Sequence, residues 1–219
     1  MNLSDQIAAL LAAHAPEDIE RHSLAVIDAE ASEPRPFCGE EWAVARRLIH
    51  TTADFDLLNH LKFTPGAAAV GVRALQGGSA VFTDTAMAAA GIPLRRLEPL
   101  GCTVTCLLQL PGVGEIAKAQ GITRSLAAVR TAGPLLHGAI VAVGNAPTAL
   151  LGLLALMEAN RNIRPALVIG MPVGFINASE SKELLQKYNI PSIVIKGRKG
   201  GSPLAAATVN ALADLALQK

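Results

Sequence analysis

Aromatic residues are scarce in this sequence, with one Trp, one Tyr and five Phe in 219 residues. Bases would have little to stack on, and no run of Lys and Arg appears, so nucleic acid is a poor partner. Charge is sparse too, at 17% against 51% hydrophobic residues, which excludes a disordered chain. The three cysteines, Cys38, Cys102 and Cys106, form an odd set without framework spacing, which argues against a disulfide scaffold. Cys102 and Cys106 fall on one side of an apparent strand, and no third or fourth ligand is spaced to join them. Both read as buried thiols, and no metal site is expected.

Long apolar runs are missing as well. The longest uncharged stretch, Thr131 to Met157, is interrupted by His137, Gly138, Asn145 and Pro147. It reads as a buried strand and a buried helix, not a membrane span. No basic leader with an apolar core opens the sequence, so the expected location is cytoplasmic. HExxH, GxSxG and any His-Cys cluster are absent, leaving zinc or serine hydrolysis without residues to carry it. Gly112-Val-Gly114-Glu-Ile-Ala117 matches the glycine spacing of a dinucleotide site. Such a site also wants an acid about 20 residues on, yet none occurs between Glu115 and Glu158.

What is present is an alternation. Five apolar, β-branched runs stand out: Ser79–Thr83, Cys102–Leu108, Ala139–Val143, Ala166–Ile169 and Ser192–Ile195. Helical patterns separate them at Thr85–Ala90, Gly114–Val129, Pro147–Asn160, Ser179–Tyr188 and Ser202–Leu217. Near-continuous apolar strands between helices predict an α/β fold with a five-stranded parallel sheet covered on both faces. Helices come first, one starting at Pro16-Glu17-Asp18 and the next at Gly39-Glu40-Glu41. The expected organisation is one domain over 1–219, a helical segment at 1–56 packed on an α/β body at 69–219.

Three glycine-bearing loops follow strands: Gly144-Asn145-Ala146-Pro147-Thr148, the segment from Gly170 to Asn177, and Gly197-Arg-Lys-Gly-Gly-Ser202. Each is ordinary turn chemistry taken alone. Together they point to an anion at helix N-termini. The charge distribution agrees. Residues 1–60 hold 11 acids and 4 Arg or Lys, a balance of −7; residues 61–219 hold 7 acids and 15 bases, a balance of +8. A basic body suits an acidic ligand.

Arg46-Arg47-Leu-Ile-His50-Thr-Thr-Ala-Asp-Phe-Asp56 closes the helix begun at Gly39, with Trp42, Ala45, Leu48, Ile49 and Thr52 at core spacing. Arg46 and Arg47 share the neighbourhood of His50, and two guanidiniums there would oppose an imidazolium until an acidic ligand offsets them. That suits an acid or base acting on a polyanion. A cation stabilised by the helix C-terminus is the other reading of His50.

RRLIHTTADFD, VFTDTAMAAAGI, GNAPTALL, GMPVGFINASESKELL and GRKGGS occur in order between Arg46 and Ser202, and the resemblance they carry spans residues 19–216. With them the chain resembles the precorrin-8X methylmutase family. Thr51 to Asp56 looks more like its cobalt-precorrin-8 members. The resemblance implies an isomerase of cobalamin biosynthesis that moves a methyl group between adjacent ring carbons of a corrin precursor. It also implies a Rossmann-like three-layer fold, a homodimer with active sites near the interface, and no external cofactor. By position, the catalytic histidine falls on His50 and substrate-contacting residues on Ser23, Arg47 and the Thr123-Arg124-Ser125 segment. Asn145 and the Gly201-Ser202 turn join them as candidates for substrate carboxylates. A histidine's ordinary pKa of about 6.5 lets it donate a proton near neutral pH. A corrinoid carrier without catalysis and an NAD-dependent oxidoreductase are the alternatives; only a catalyst changes the isomer, and only an oxidoreductase binds the nicotinamide nucleotide.

Overall fold

Apolar strands can be buried on both faces only if helices cover both. The computed structural model, which describes residues 2–12, 15 and 18–218, has that arrangement. Helices α1 (Leu3–Ala12), α2 (Ile19–Glu30), α3 (Gly39–Thr52) and α4 (Leu57–His60) come first. Pro16 and Glu17, two residues of the predicted helix start, lie outside the described residues. The alternation then runs β1 (Leu61–Phe63), α5 (Ala67–Gln76), β2 (Val81–Thr83), α6 (Ala86–Ala90), α7 (Leu94–Leu97) and β3 (Val104–Cys106). It continues with α8 (Val113–Gln120), α9 (Arg124–Ala132), β4 (Ile140–Val143), α10 (Pro147–Ala159), β5 (Leu167–Gly170), α11 (Ala178–Leu185), β6 (Ser192–Ile195) and α12 (Ser202–Leu217).

All five expected strands form, but the sheet has six, in the order β1-β6-β5-β4-β2-β3. The addition is β1, antiparallel beside β6 with Leu61 opposite Ile195 and Phe63 opposite Ile193. Leu-Lys-Phe is too short to carry a strand pattern. It is a strand because the edge of β6 offers unpaired backbone groups, and Thr64 N–H continues the ladder to the Ser192 carbonyl at 2.9 Å. The single helix expected over Gly114–Val129 is two. Gly121, at φ +62°, ends α8 in the left-handed region, and the Thr123 hydroxyl opens α9 by accepting the Leu126 N–H.

Strand periodicity sorts the core into two layers. Ile140, Ala142, Leu167, Ile169, Ile193 and Ile195 face α3, α5 and α12. Val141, Val143, Val168 and Val194 face α8, α9, α10 and α11. Helix α12 is apolar on most sides because α3, α5 and the sheet all cover it. On α3, Trp42, Val44, Ala45, Leu48 and Ile49 are buried, as the spacing indicates. Thr52 is exposed instead. Its hydroxyl bonds back to the Leu48 carbonyl at 3.0 Å, the usual resort of a threonine in a last helical turn. Cys102 and Cys106 are buried, and the Cys102 thiol donates to the Leu75 carbonyl.

Strand order also fixes where loops can gather. Chain direction from β2 goes outward to β3 on one side and to β4, β5 and β6 on the other. The carboxyl ends of β2 and β4 therefore flank a topological switch point, the usual ligand crevice of such sheets.

Candidate active site

A carboxylate near the end of α2 helps to clasp helix α3. Asp28 accepts from Trp42 Nε1 at 2.8 Å and pairs with Arg46 and Arg35. Burial pushes its pKa up, but hydrogen bonds from Trp42 and Arg46 and the nearby cations outweigh that and hold it below the usual carboxylate value. Arg35 also stacks on Trp42, 4.6 Å from its ring centroid. This clasp turns the last turn of α3, and with it His50, toward α2.

Arg47 is spoken for as well. Its Nη2 pairs with Glu20 on α2 at 2.6 Å and with Asp214 on α12 at 3.0 Å. Asp214 in turn pairs with Arg96 Nε at 2.6 Å. The hydrogen bond from Arg47 holds Glu20 below its ordinary pKa despite partial burial. The expectation that Arg46 and Arg47 stand as free cations beside His50 is thus corrected: each is matched by a carboxylate that only the packing of α2 and α12 brings near.

His50 itself is exposed, and no described residue hydrogen-bonds its imidazole. It lies between two depressions. One, of about 530 Å³, is mostly apolar and is lined by Ser23, Val26, Ile27, Ile49 and Phe55. The other, of about 260 Å³, is lined by Arg47, Thr51, Gly91, Arg96, Pro203 and Asn210. Ser23, His50 and Arg47 are therefore brought together, and Pro203 places the start of α12 beside them. Lys199 strengthens that link by pairing with Asp54 at 2.9 Å and Asp56 at 2.6 Å, tying the loop before α12 to the segment after His50.

The switch point is already filled. Asp84, at the end of β2, reaches across to β4 and accepts the backbone N–H groups of Gly144, Asn145 and Ala146 at 2.7–2.9 Å. Burial raises its pKa, while these three donors act against the rise. The Gly144–Thr148 loop, expected to offer its N–H groups to a ligand, has given three to an internal carboxylate. Asn145 keeps an exposed side chain beside that loop. Ser202 is buried, its hydroxyl 2.8 Å from that of Thr85.

Arg124 and Ser125 stand apart, at the start of α9 on the other helix layer, and neither depression beside His50 is lined by them or by Asn145. Thr123 caps α9 and bonds the Thr148 hydroxyl at 3.1 Å, joining the first turns of α9 and α10. Arg124 is exposed and forms no ion pair among the described residues. Sequence reasoning missed Asp84, Arg96 and Asp214. An acid right after a fully apolar strand is a usable signal for Asp84; nothing local marks the other two.

Comparison with known proteins decides the family. A model of the precorrin-8X methylmutase family matches residues 18–215. The chain belongs to that family. A cobalt-precorrin-8 methylmutase of Leptospira interrogans is 43% identical over 203 residues, covering 89% of this chain and 91% of the relative. A precorrin-8X methylmutase of Pseudomonas aeruginosa is 43% identical over 198 residues, 89% of this chain and 93% of the relative. The solved precorrin-8X methylmutase of Thermus thermophilus superposes with a TM-score of 0.85 at 43% identity, over 92% of this chain and 98% of that one. As a methylmutase the chain is an intramolecular methyl-migrating isomerase of cobalamin biosynthesis, and a corrinoid precursor is the substrate that fits. The carrier and oxidoreductase readings have no such support. No helix among the described residues is long and apolar enough to cross a membrane.

Proposed function

We propose that His50 is the general acid of the methyl migration. The observation that carries this is an imidazole with no hydrogen-bond partner among the described residues, set where an apolar groove and an arginine-bearing cleft meet. A corrin precursor is a broad, largely apolar ring rimmed with carboxylates, so it suits a groove of that kind with cations and helix N-termini around it. Moving a methyl group to the adjacent ring carbon leaves composition and oxidation state unchanged. The enzyme's task is to prepare the ring tautomer, and a proton lent by His50 and returned after the shift does this.

Ser23 lies in the apolar groove with His50 and serves to contact the ring there. Arg47, Arg124, Ser125 and Asn145 serve the carboxylates with their side chains. For Arg47 this requires the ligand to share or displace Glu20 and Asp214, which a polyanion can do. In the Gly201-Ser202 turn the Gly201 N–H already donates to Met171 and the Ser202 hydroxyl meets Thr85, so the turn serves through the Ser202 backbone N–H. Arg124 and Ser125 reach the same ligand as the rim of a site completed in a homodimer, whose interface also covers Val173, Phe175 and Ile176, all large and exposed. The whole chain works as one domain in the cytoplasm. Thr51 to Asp56 favours the cobalt-bearing substrate.

Incubation with metal-free and cobalt-loaded precursors tests the reading, since a product of changed spectrum and unchanged mass is an isomer. His50→Asn should cut turnover by roughly 10²–10⁴-fold, with ligand affinity and melting temperature near the parent's. Turnover within a few-fold of the parent rules His50 out as the acid. Sedimentation of an active monomer at micromolar concentration ends the dimer proposal.

A further inference from the structure

Lys182, on α11, is 1% exposed and has no carboxylate partner among the described residues. Its Nζ makes one hydrogen bond, to the backbone carbonyl of Lys199 at 2.9 Å. A buried cation with a single neutral acceptor is costly to keep, and burial pushes this ammonium down to about 8. The methyl migration as described makes no use of it. Its position explains it better, because Lys199 lies in the loop leading into α12.

That loop is fixed from beneath at successive points. The Lys199 carbonyl turns inward to Lys182. The Gly201 N–H donates to the Met171 carbonyl at 2.9 Å, and the Ser202 hydroxyl meets Thr85. Between them Gly200 sits at φ +159°, where an added Cβ would lie 2.2 Å from the Met171 oxygen, so only glycine fits. In a trans peptide the C=O and N–H point opposite ways. A Lys199 carbonyl aimed at the buried ammonium therefore turns the Gly200 N–H away from it. No described residue accepts a hydrogen bond from that N–H.

We propose that Lys182 is a positioning residue for substrate. Its ammonium sets the 199–200 peptide plane so that the Gly200 N–H faces a ligand carboxylate at the start of α12, and its charge lies behind that carboxylate. The role rests on the reading above that the Gly201-Ser202 turn receives a carboxylate of the corrin precursor. Asp84 plays the counterpart in the neighbouring loop: there a buried anion consumes the outward N–H groups, here a buried cation presents one.

The test uses the whole chain with cobyrinate, the expected product, as ligand. Lys182→Met keeps the side chain's length and removes its charge. The variant should melt at or above the parent's temperature, bind cobyrinate about 10- to 100-fold more weakly, and keep turnover at saturation within about threefold. A purely structural lysine predicts instead a lower melting temperature with affinity unchanged in the folded fraction. Lys182→Met that is folded and binds like the parent overturns the proposal. Amide hydrogen exchange on the parent protein provides a second arm that needs no variant. Saturating cobyrinate should slow exchange of the Gly200 amide at least tenfold, and an unaffected Gly200 overturns the proposal equally. A parent protein that neither binds cobyrinate nor isomerises the precursor would bring down the functional reading, and this role with it.

Discussion

Two walls of the molecule, one beside His50 at α2 and α3 and one at the strand ends, are built by opposite means. On the α2–α3 side, Asp28, Glu20, Arg46, Arg47, Arg96 and Asp214 meet through side-chain ion pairs that remain partly open to water. At the strand ends, Asp84, Ser202 and Lys182 are buried and bonded to backbone or, for Ser202, to the half-buried Thr85. Partly exposed ion pairs are screened, weak singly and easily exchanged for a ligand's charges. Buried polar groups bonded to backbone cannot be exchanged, because any partner lost leaves an unsatisfied group in a dry place. One wall can adjust to a polycarboxylate while the other holds its geometry before the ligand arrives.

Breaking the rigid wall should have the largest effect on stability. Asp84→Ala strands three N–H groups at the switch point and should cost about 3–5 kcal/mol in urea unfolding. A loss under about 1 kcal/mol would mean the strand-end loop holds itself, and the contrast between the walls would fail. Next comes Arg124, which belongs to neither wall and has no ion-pair partner among the described residues to lose. Arg124→Ala should leave stability unchanged while weakening ligand binding by about 1.5–3 kcal/mol, as for a charge-assisted hydrogen bond. Equal binding by the folded variant removes Arg124 from the site.

The smallest effect belongs to the adjustable wall. Asp28→Asn should cost about 1–2 kcal/mol at neutral pH, discounted for the water still reaching the carboxylate. Its sign with pH is set. The folded-state pKa of Asp28 lies below its ordinary 3.8, so its contribution is complete above that value and is lost as pH falls through the folded-state value. Parent and variant should therefore converge in acid when their unfolding is followed from pH 7 down past the folded-state value of Asp28. A difference independent of pH would show that shape, not charge, makes the clasp.

Legibility in the sequence followed the range of the interaction. The five parallel strands could be read because each is a run of apolar, mostly β-branched residues, and the core spacing of Trp42, Ala45, Leu48 and Ile49 marked the buried face of α3. Arg47 near His50 was legible too, since positions three apart on a helix are neighbours. The Gly144–Thr148 loop was misjudged, because glycines and a helix start announce free N–H groups but not whether they stay free. Asp84, 60 residues earlier, takes three of them.

By itself, then, the sequence determined the alternating α/β layers, the amphipathic face of α3 and the family, all of which rest on local pattern or ordered motifs. Tertiary structure decided the sixth strand, since β1 exists only against the open edge of β6. It also decided which charges near His50 are balanced and which backbone donors remain. Those outcomes depend on partners such as Asp214, 167 residues from Arg47, and a one-dimensional pattern carries no information about a contact that only folding creates.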